Sequence, residues 1–504
     1  MAAYQTPGVS IQDQNGFPNT VVAVETAVPV FIGYTEKAIH NGTSLVGRPV
    51  RVNSLAEYEQ LFGKGFQHKF KLKTAADVKT ASGSSSITRP AQMFYLYNCM
   101  RLYIANGGGS FYVLCAGTYG EGAGKKKAVD VADFIDALLA ALEKCPEPTL
   151  VLVPDLVTKR NDCYNLYKKI LQHCHKMQSR FALLDVIPAP EDAGLQHTLQ
   201  LFREGIGGEA LNYGAAYYPW LHTSIVPESE INNTCLSVSL NELKQWLPEK
   251  EAAAVIDQWI NAAESSEPAQ QTATAANTKN DTTENSSSGH QALTAVSSTY
   301  RQIMNEIKAE LNLLPPSAAI AGIYCMVDSS RGVWKAPANV ALSMVEAPAE
   351  IISDEQQQNM NIDIVAGKSV NALRPFPGMG TLVWGAKTLD GNSQDWRYIN
   401  VRRTMMMIEQ SLKLACSAYV FEPNNANTWA TVKSMITHFL TSLWKQGALA
   451  GAVAEEAFTV QVGLGATITP EDILQGILRV TVLLAITRPD EFIELTLQQQ
   501  QQSA

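Results

Sequence analysis

Two short stretches, TLVLVP (residues 149–154) and RFALLDV (residues 180–186), together with the helix-like segment 161–178 between them, decide the fold. Both stretches are almost continuously apolar, which is typical of strands that are covered on two faces. A strand-like run over residues 110–115 and a helix-like segment over residues 131–143 repeat the pattern earlier in the chain. We therefore predict a doubly wound α/β domain with a largely parallel sheet.

The residues before this domain contain shorter strand-like runs separated by turn residues. The runs cover residues 20–24 and 28–33, and the segment 54–62 begins with the serine and glutamate spacing of a helix capping box. This pattern predicts a small β-rich module over residues 21–93, followed by the α/β domain over residues 94–345.

The last third of the chain changes to long amphipathic helices. Apolar residues recur at helical spacing over residues 397–419 and again over residues 428–445. Thr469 has the position of a helix N-cap, and a strand-like run follows over residues 479–486. We predict an α+β C-terminal domain over residues 346–489.

Each end of the chain has the pattern of a single strand without a hairpin partner. We assign an N-terminal arm to residues 1–20 and a C-terminal arm to residues 490–504. The apolar residues expected to pack in these arms are Val9, Ile11, Phe492, Ile493, Leu495 and Leu497. A lone strand leaves backbone groups unpaired, so each arm must join a sheet in its own subunit or in a neighbour. The second alternative predicts a polymer held by strand exchange.

The composition excludes several classes of protein. The chain has 504 residues, 46% of them hydrophobic and 17% charged, with a net charge of −9, which predicts a folded protein and argues against bulk nucleic-acid binding. We find no secretion-signal pattern, and the apolar runs are shorter than the roughly 20 residues of a membrane span. The eight cysteines occur singly, which predicts reduced thiols in a cytoplasm and no metal site.

One segment contains almost no large apolar residues. Residues 262–293 are rich in serine, threonine, alanine and glutamine, which predicts a disordered insert on the surface. The stretch 79–86 predicts a second polar loop.

A catalytic alternative rests on acids, bases and a nucleophile in the α/β region. The candidates are Asp155, Asp185, His173, His197 and Ser224. No Gly-x-Ser-x-Gly motif surrounds a serine. His173 and His175 are two positions apart on a helix and do not share a face. Residues 107–109 form a glycine turn before a strand, whereas a phosphate-binding loop follows one. We expect no catalytic, cofactor or metal site.

Five blocks of sequence share the pattern of one known family, in collinear order along nearly the whole chain. They are residues 4–9, 213–221, 315–339, 374–389 and 396–403. The positions that carry the pattern are Pro7, Gly8, Trp334, Pro377, Gly378, Gly380, Trp384, Gly385, Trp396, Arg397, Arg402 and Arg403. On these blocks the chain resembles the tail sheath proteins of contractile phage tails and phage-derived injection systems.

The resemblance implies a fold and a mechanical function. It implies that the middle domain is subtilisin-like and faces outward, and that the arms add strands to the C-terminal domains of neighbouring subunits. Subunits are expected to stack as hexameric rings around an inner tube and to contract when triggered, with hinges near residues 25–27 and 487–490. The implied partners are further copies of the chain, the inner tube protein, baseplate and terminal cap proteins, and sheath paralogues.

The resemblance also implies assembly in a bacterial cytoplasm, as part of a phage tail or a released tail-like particle. It leaves open which of these two particles the chain belongs to. A non-contractile shell or scaffold polymer and a subtilisin-like hydrolase are the alternative functions.

Overall fold

The computed structural model describes residues 21–73, 86–90, 92–119, 131–158, 160–190, 194–264, 288–363 and 367–491. The chain forms two compact units. Among the described residues, the large unit contains residues 27–330 and 336–399, and the small unit contains residues 21–26, 331–335 and 400–491. The fold is therefore a mixed α/β structure of more than one unit.

The strands of the large unit are β1 (Pro29–Thr35), β2 (Ile39–His40), β3 (Thr43–Ser44), β4 (Pro49–Val52), β5 (Lys71–Leu72), β6 (Ile87–Thr88), β7 (Phe111–Thr118), β8 (Leu150–Leu152), β9 (Phe181–Asp185), β10 (Gly214–Tyr218), β11 (Leu221–Thr223), β12 (Leu313–Leu314), β13 (Val345–Pro348), β14 (Asn371–Phe376) and β15 (Gly380–Trp384). Its helices are α1 (Leu55–Phe62), α2 (Leu96–Ala105), α3 (Val131–Glu143), α4 (Arg160–Met177), α5 (Gly194–Gly205), α6 (Leu240–Trp246), α7 (Lys250–Glu264), α8 (Ser298–Leu311), α9 (Ser317–Arg331) and α10 (Asp354–Asn361). Residues 288–296 are also helical.

Eight strands of the large unit form one sheet, in the order β15-β14-β10-β9-β8-β1-β7-β4. The six strands from β14 to β7 are parallel, and β15 and β4 pair antiparallel at the two edges. Every residue of β1 is buried, with Val30 between Tyr112 of β7 and Val151 of β8. Chain order reverses beside β1, which is the doubly wound arrangement predicted from the sequence.

The predicted β-rich module over residues 21–93 is wrong as a separate unit. β1 lies in the middle of the large sheet, because an apolar strand buried on both faces needs a neighbour on each side. Residues 21–26 belong to the small unit, where the Val24 N–H donates to Ser411 Oγ at 3.1 Å.

Two further predicted boundaries are also corrected. Strands β13, β14 and β15 lie in the large unit, so the C-terminal unit begins near residue 400 instead of 346. The polar insert is shorter than 262–293, because α7 continues to Glu264 and Leu293 is fully buried in the helical stretch 288–296. Residues 265–287 lie outside the described residues.

The small unit consists mainly of two long helices and a small sheet. Its elements are α11 (Ile399–Ser417), which begins one residue before the unit, α12 (Ala426–Lys445), α13 (Ala454–Ala457), β16 (Phe458–Gln461), α14 (Pro470–Leu474) and β17 (Thr481–Leu484). Thr469 caps α14 as predicted, because its side chain accepts from the Asp472 N–H. Among the described residues, no helix is both long and apolar enough to cross a membrane.

Candidate functional site

The small sheet, which we define as β16 and β17, contains two antiparallel strands of four residues each. Phe458 lies opposite Leu484, and Gln461 lies opposite Thr481. Phe458, Val460, Val482 and Leu484 share the face that packs on the core of the small unit. The opposite face, which carries Leu483, is exposed.

The hydrogen-bond alternation determines which backbone groups point away from the pair. Just beyond the strands, the Ala485 N–H donates to Ala457 O at 2.9 Å, and these two residues are directly opposite in the same register. Every second pair in an antiparallel ladder is hydrogen-bonded. Leu483 and Thr459, two residues further along each strand, are therefore also a hydrogen-bonded pair. The backbone groups of Val482, Leu484 and Val460 therefore point outward.

An independent contact supports this alternation. The Phe458 N–H donates to Ala454 O, at the end of α13, and thus points away from Leu484. In the part of the chain that the structure describes, no third strand lies beside β16 or β17. The small sheet thus has two open edges, which are rows of backbone donors and acceptors available to another strand.

The buried face of the small sheet packs on two helices. α11 and α12 supply buried residues that include Ile408, Ile436 and Leu440, and Val482 and Leu484 pack against this core. An isolated pair of strands is marginally stable in water, whereas packing on helices holds it in a fixed shape. The open edges are therefore pre-formed.

Thr487, which lies shortly before the C-terminal arm, is held by the same unit. The Thr487 N–H donates to Ala448 O at 3.2 Å, Thr487 Oγ1 donates to Gly447 O at 3.0 Å, and Asn400 Nδ2 donates to Thr487 O at 3.1 Å. Thr487, the first residue of the predicted hinge 487–490, is thus held by three hydrogen bonds. The other predicted hinge, residues 25–27, contains the boundary between the two units.

The predicted packing residues of the arms lie outside the described residues and stay predictions. They are Val9, Ile11, Phe492, Ile493, Leu495 and Leu497, and the family-motif positions Pro7 and Gly8 lie outside as well.

The remaining motif positions are not brought together in one site. Trp334, Arg402 and Arg403 belong to the small unit, and both arginines are buried. The others belong to the large unit, and they are Pro377, Gly378, Gly380, Trp384, Gly385, Trp396 and Arg397.

Backbone conformation and close packing explain why glycine stands at the motif positions of the large unit. Gly378, in the turn between β14 and β15, and Gly380, the first residue of β15, have φ of +74° and +77°, a region that favours glycine. A Cβ at Gly385 would lie 2.7 Å from Asn371 Oδ1. This part of the motif therefore specifies a hairpin.

Asp155, a candidate of the catalytic alternative, lies where doubly wound folds usually bind ligands. It follows β8, beside the carboxyl end of β1, where the order of the sheet reverses. Its Oδ2 accepts from the Tyr34 N–H at 2.7 Å, and its Oδ1 accepts from the N–H groups of Tyr95 and Leu96 at 2.6 and 2.8 Å. Burial raises the pKa of Asp155 to about 6, although these hydrogen bonds lower it. The carboxylate therefore occupies the N-terminus of α2 in place of a ligand.

Asp185 has an equivalent role at the end of β9. Its Oδ1 accepts from the Ser317 N–H at 2.7 Å and its Oδ2 accepts from Ser317 Oγ at 2.6 Å, at the start of α9. Burial raises the pKa of Asp185 to about 7. Sequence reasoning treated both aspartates only as candidate acids. The sequence offered only an aspartate at the end of an apolar strand, because the helix termini that the two aspartates hold, those of α2 and α9, are distant from them in sequence.

The candidate bases and nucleophile have separate surroundings. His173 is buried against Arg180, and burial together with that guanidinium lowers the pKa of His173 to about 4. His197 is exposed on α5, and the Ser224 N–H donates to Met344 O at 3.0 Å. Among the described residues, these contacts form no serine, histidine and carboxylate cluster, and no cluster of metal ligands is present.

Comparisons with known proteins identify relatives with the same architecture. Residues 392–500 match the family model "Phage tail sheath C-terminal domain". Over 99% of both chains, the protein is 27% identical to a sheath chain of the PVC extracellular contractile injection system in its contracted state, with a TM-score of 0.60. It is 28% identical to the contracted helical sheath of the anti-feeding prophage, over 99% of this chain and 100% of that one, also with a TM-score of 0.60.

The curated relatives are tail sheath proteins of phages. The chain is 24% identical over 159 residues to that of Vibrio phage KVP40, and 26% identical over 144 residues to that of Burkholderia phage BcepMu. These matches cover 30% and 28% of this chain, and 23% and 30% of the two relatives. The resemblance to contractile tail sheath proteins predicted from the sequence is confirmed.

Proposed function

We propose that this chain is the structural subunit of a contractile sheath, in a phage tail or a tail-like injection system. The observation that carries the proposal is the small sheet with two open edges, held on a helical core in the part of the chain that matches the sheath family. The likeness to contracted sheaths over nearly the whole chain supports the same function.

In this proposal, neighbouring subunits complete the small sheet by strand exchange. An arm from another copy, over residues 1–20 or 490–504, adds beside β16 or β17. Its backbone bonds to the outward groups of Val460, Val482 and Leu484. Backbone hydrogen bonds provide affinity, and alternate apolar side chains of the arm reach the core face and fix the register.

The same links allow the polymer to shorten without dissociating. Added strands are held by backbone groups, so they persist while side-chain contacts between subunits are exchanged. Chain segments beside residues 26 and 487 act as hinges in this mechanism. Two packings of one sequence differ by a few kcal/mol per subunit, and a polymer of hexameric rings sums that difference to drive an inner tube through a target envelope.

The partners follow from this assembly. They are further copies of the chain, the inner tube protein, baseplate and terminal cap proteins, and sheath paralogues where the particle contains them. Assembly takes place in the bacterial cytoplasm. Asp155 and Asp185 hold helix termini in the large unit, so we expect the purified protein to hydrolyse no peptide, ester or nucleotide above background.

The first experiment tests the open edge with matched substitutions in β17. Val482→Pro removes an outward N–H, and a proline is tolerated at an edge whose N–H faces solvent. We expect a folded monomer that forms no tubes by electron microscopy. Val482→Ala keeps the N–H and loses only packing, so it should still form tubes. Tubes of normal length from Val482→Pro would contradict strand addition at this edge.

A second substitution in β17 and a microscopy experiment on the wild type complete the test. Leu483→Pro removes an N–H from inside the ladder, so it should destabilise the small unit itself.

Electron microscopy of wild-type assemblies before and after a trigger separates a contractile sheath, with two lengths and diameters, from a scaffold polymer with one.

A further inference from the structure

Asn400 lies at the place where the chain passes into the small unit for the last time. It is the second residue of α11 and its side chain is almost completely buried, with 1% exposure. Its Nδ2 donates to Trp334 O at 2.9 Å and to Thr487 O at 3.1 Å. One carboxamide thus joins the segment 331–335, the first turn of α11 and Thr487, three residues before the C-terminal arm.

The chemistry of these contacts explains why the residue is an asparagine. Both partners are backbone carbonyls, which only accept, so the NH₂ group must face them. Asn400 Oδ1 is buried without a hydrogen-bond partner among the described residues, so the two donors fix the orientation of the side chain. An aspartate has the same shape but would place an oxygen against two carbonyl oxygens.

The position of Thr487 makes this contact relevant to the arm. Thr487 lies three residues beyond β17 and directly before Arg488 and Pro489. Its N–H and Oγ1 are also held, by Ala448 O and Gly447 O. We name Thr487 the arm root. Asn400 ties Thr487 to α11, and the other two contacts tie Thr487 to the turn after α12.

We propose that Asn400 is a positioning residue for assembly, which fixes the arm root and so sets the direction in which the C-terminal arm leaves its subunit. This inference rests on the proposed strand exchange. A fixed root concentrates the arm near the sheet edge of a neighbour, whereas a mobile root spreads it over a larger volume and lowers its effective concentration. Ordering the root in advance also lowers the entropy cost of binding.

Asn400→Asp tests the proposal, and Asn371→Asp is its matched control. Asn371 is also buried, and its Nδ2 donates to two carbonyls, Lys387 O at 2.8 Å and Ala216 O at 3.2 Å. Asn371 and these two partners belong to the large unit, whereas Asn400 and Thr487 belong to the small unit. Both substitutions therefore make the same chemical change in a similarly buried place.

Two measurements are made on the purified full-length chain. The first is hydrogen exchange of the Thr487 amide, at a protein concentration below that of wild-type assembly. The second is the concentration at which tubes form, measured by light scattering and electron microscopy. In Asn400→Asp we expect at least tenfold faster exchange at Thr487, unchanged exchange at Leu483, and an assembly concentration raised at least tenfold. Asn371→Asp should leave both quantities at wild-type values below its melting temperature.

Several outcomes would overturn the proposal. Unchanged exchange at Thr487 would show that Asn400 does not hold the arm root. Faster exchange with a normal assembly concentration would show that the fixed root does not matter for assembly. If Asn400→Asp does not fold, Asn400→Ser, which keeps one donor, replaces it with the same criteria and a smaller expected change. Failure of strand addition at the β17 edge is recognised separately, because Val482→Pro would then assemble normally.

Discussion

The edges of the large sheet and of the small sheet are constructed differently. At one edge of the large sheet, β4 begins with Pro49 and carries Arg51, which pairs with Glu147 at 3.3 Å. The other edge, β15, is covered by residues 339–342. The N–H groups of Asn339 and Leu342 donate to β15 carbonyls at 2.8 and 2.9 Å. In contrast, β17 contains neither proline nor charge and has outward backbone groups on an open edge.

The difference indicates which unit associates with other chains. Short edge strands, prolines, charges and covering segments are the ordinary means by which proteins prevent edge-to-edge association. The edges of the large sheet have a proline, a charge and a covering segment. Among the described residues, β17, which is as short as β4, has none of these three. We infer that the large unit is complete as a fold and that the small unit is completed by a neighbour.

The largest expected effect is that of removing the C-terminal arm. Deletion of residues 490–504 removes Phe492, Ile493, Leu495 and Leu497 and spares β17 and Thr487. We expect a monomer with native circular dichroism that forms no tubes in size-exclusion chromatography and electron microscopy. Leu495→Pro should weaken assembly less severely. A strongly lowered melting temperature in the deletion would indicate that the arm completes its own subunit.

The next largest effect concerns stability in the large unit. Asp155→Ala leaves the N–H groups of Tyr34, Tyr95 and Leu96 without this acceptor, and a buried unpaired group costs about 1–3 kcal/mol. We expect the free energy of unfolding of the large unit to fall by roughly 3–6 kcal/mol in urea titrations. Tubes should still form at temperatures where the variant is folded. Loss of tubes from a folded Asp155→Ala monomer would contradict the division between the units.

A smaller effect is the pH dependence contributed by Asp185. Its folded pKa of about 7 is above the ordinary value of 3.8, so protonation favours the folded state. This contribution is complete below pH 3.8 and is lost as the pH rises through about 7. The stability of wild type relative to Asp185→Asn should therefore fall from about pH 4 to about pH 7, by at most about 1.4 kcal/mol per pH unit, and level off above that. A difference that does not change with pH would show that the Asp185 carboxyl is ionised throughout.

The smallest effect is expected from exposing an edge of the large sheet. Pro49→Val combined with Arg51→Val restores a backbone donor and removes the charge from β4. We expect a modest increase in dimer or oligomer formation by analytical ultracentrifugation, because the strand is short. Pro49→Ala with Arg51→Lys, which keeps a charge on the strand, is the control. Equal association of the two double variants would show that charge does not protect this edge.

The sequence predicted the elements better than their grouping into units. The doubly wound sheet, the long helices near residues 397–419 and 428–445 and the Thr469 cap follow local patterns, and the structure contains all of them. The assignment of β1 and β14 to the large sheet depends on pairing between residues far apart in the chain, such as Val30 with Val151. Local periodicity does not contain that information.

The sequence likewise predicted only part of the candidate site. The strand predicted over residues 479–486 contains β17, whereas the hinge near residues 487–490 stays a prediction. The open edges were not predicted, because an unpaired edge is visible only when every other strand has been placed. Asn400 was likewise missed, since its role depends on carbonyls of residues 334 and 487 that are distant in sequence.

The most direct measurement is a cryo-electron microscopy reconstruction of tubes assembled from the wild-type chain, at a resolution that separates strands. We predict that the small sheet then contains additional strands, hydrogen-bonded to the outward groups of Val482 and Leu484 on β17 and of Val460 on β16, and that these strands belong to other subunits. A small sheet that still contains two strands in the tube, or one extended only by its own subunit's arms, would contradict strand exchange.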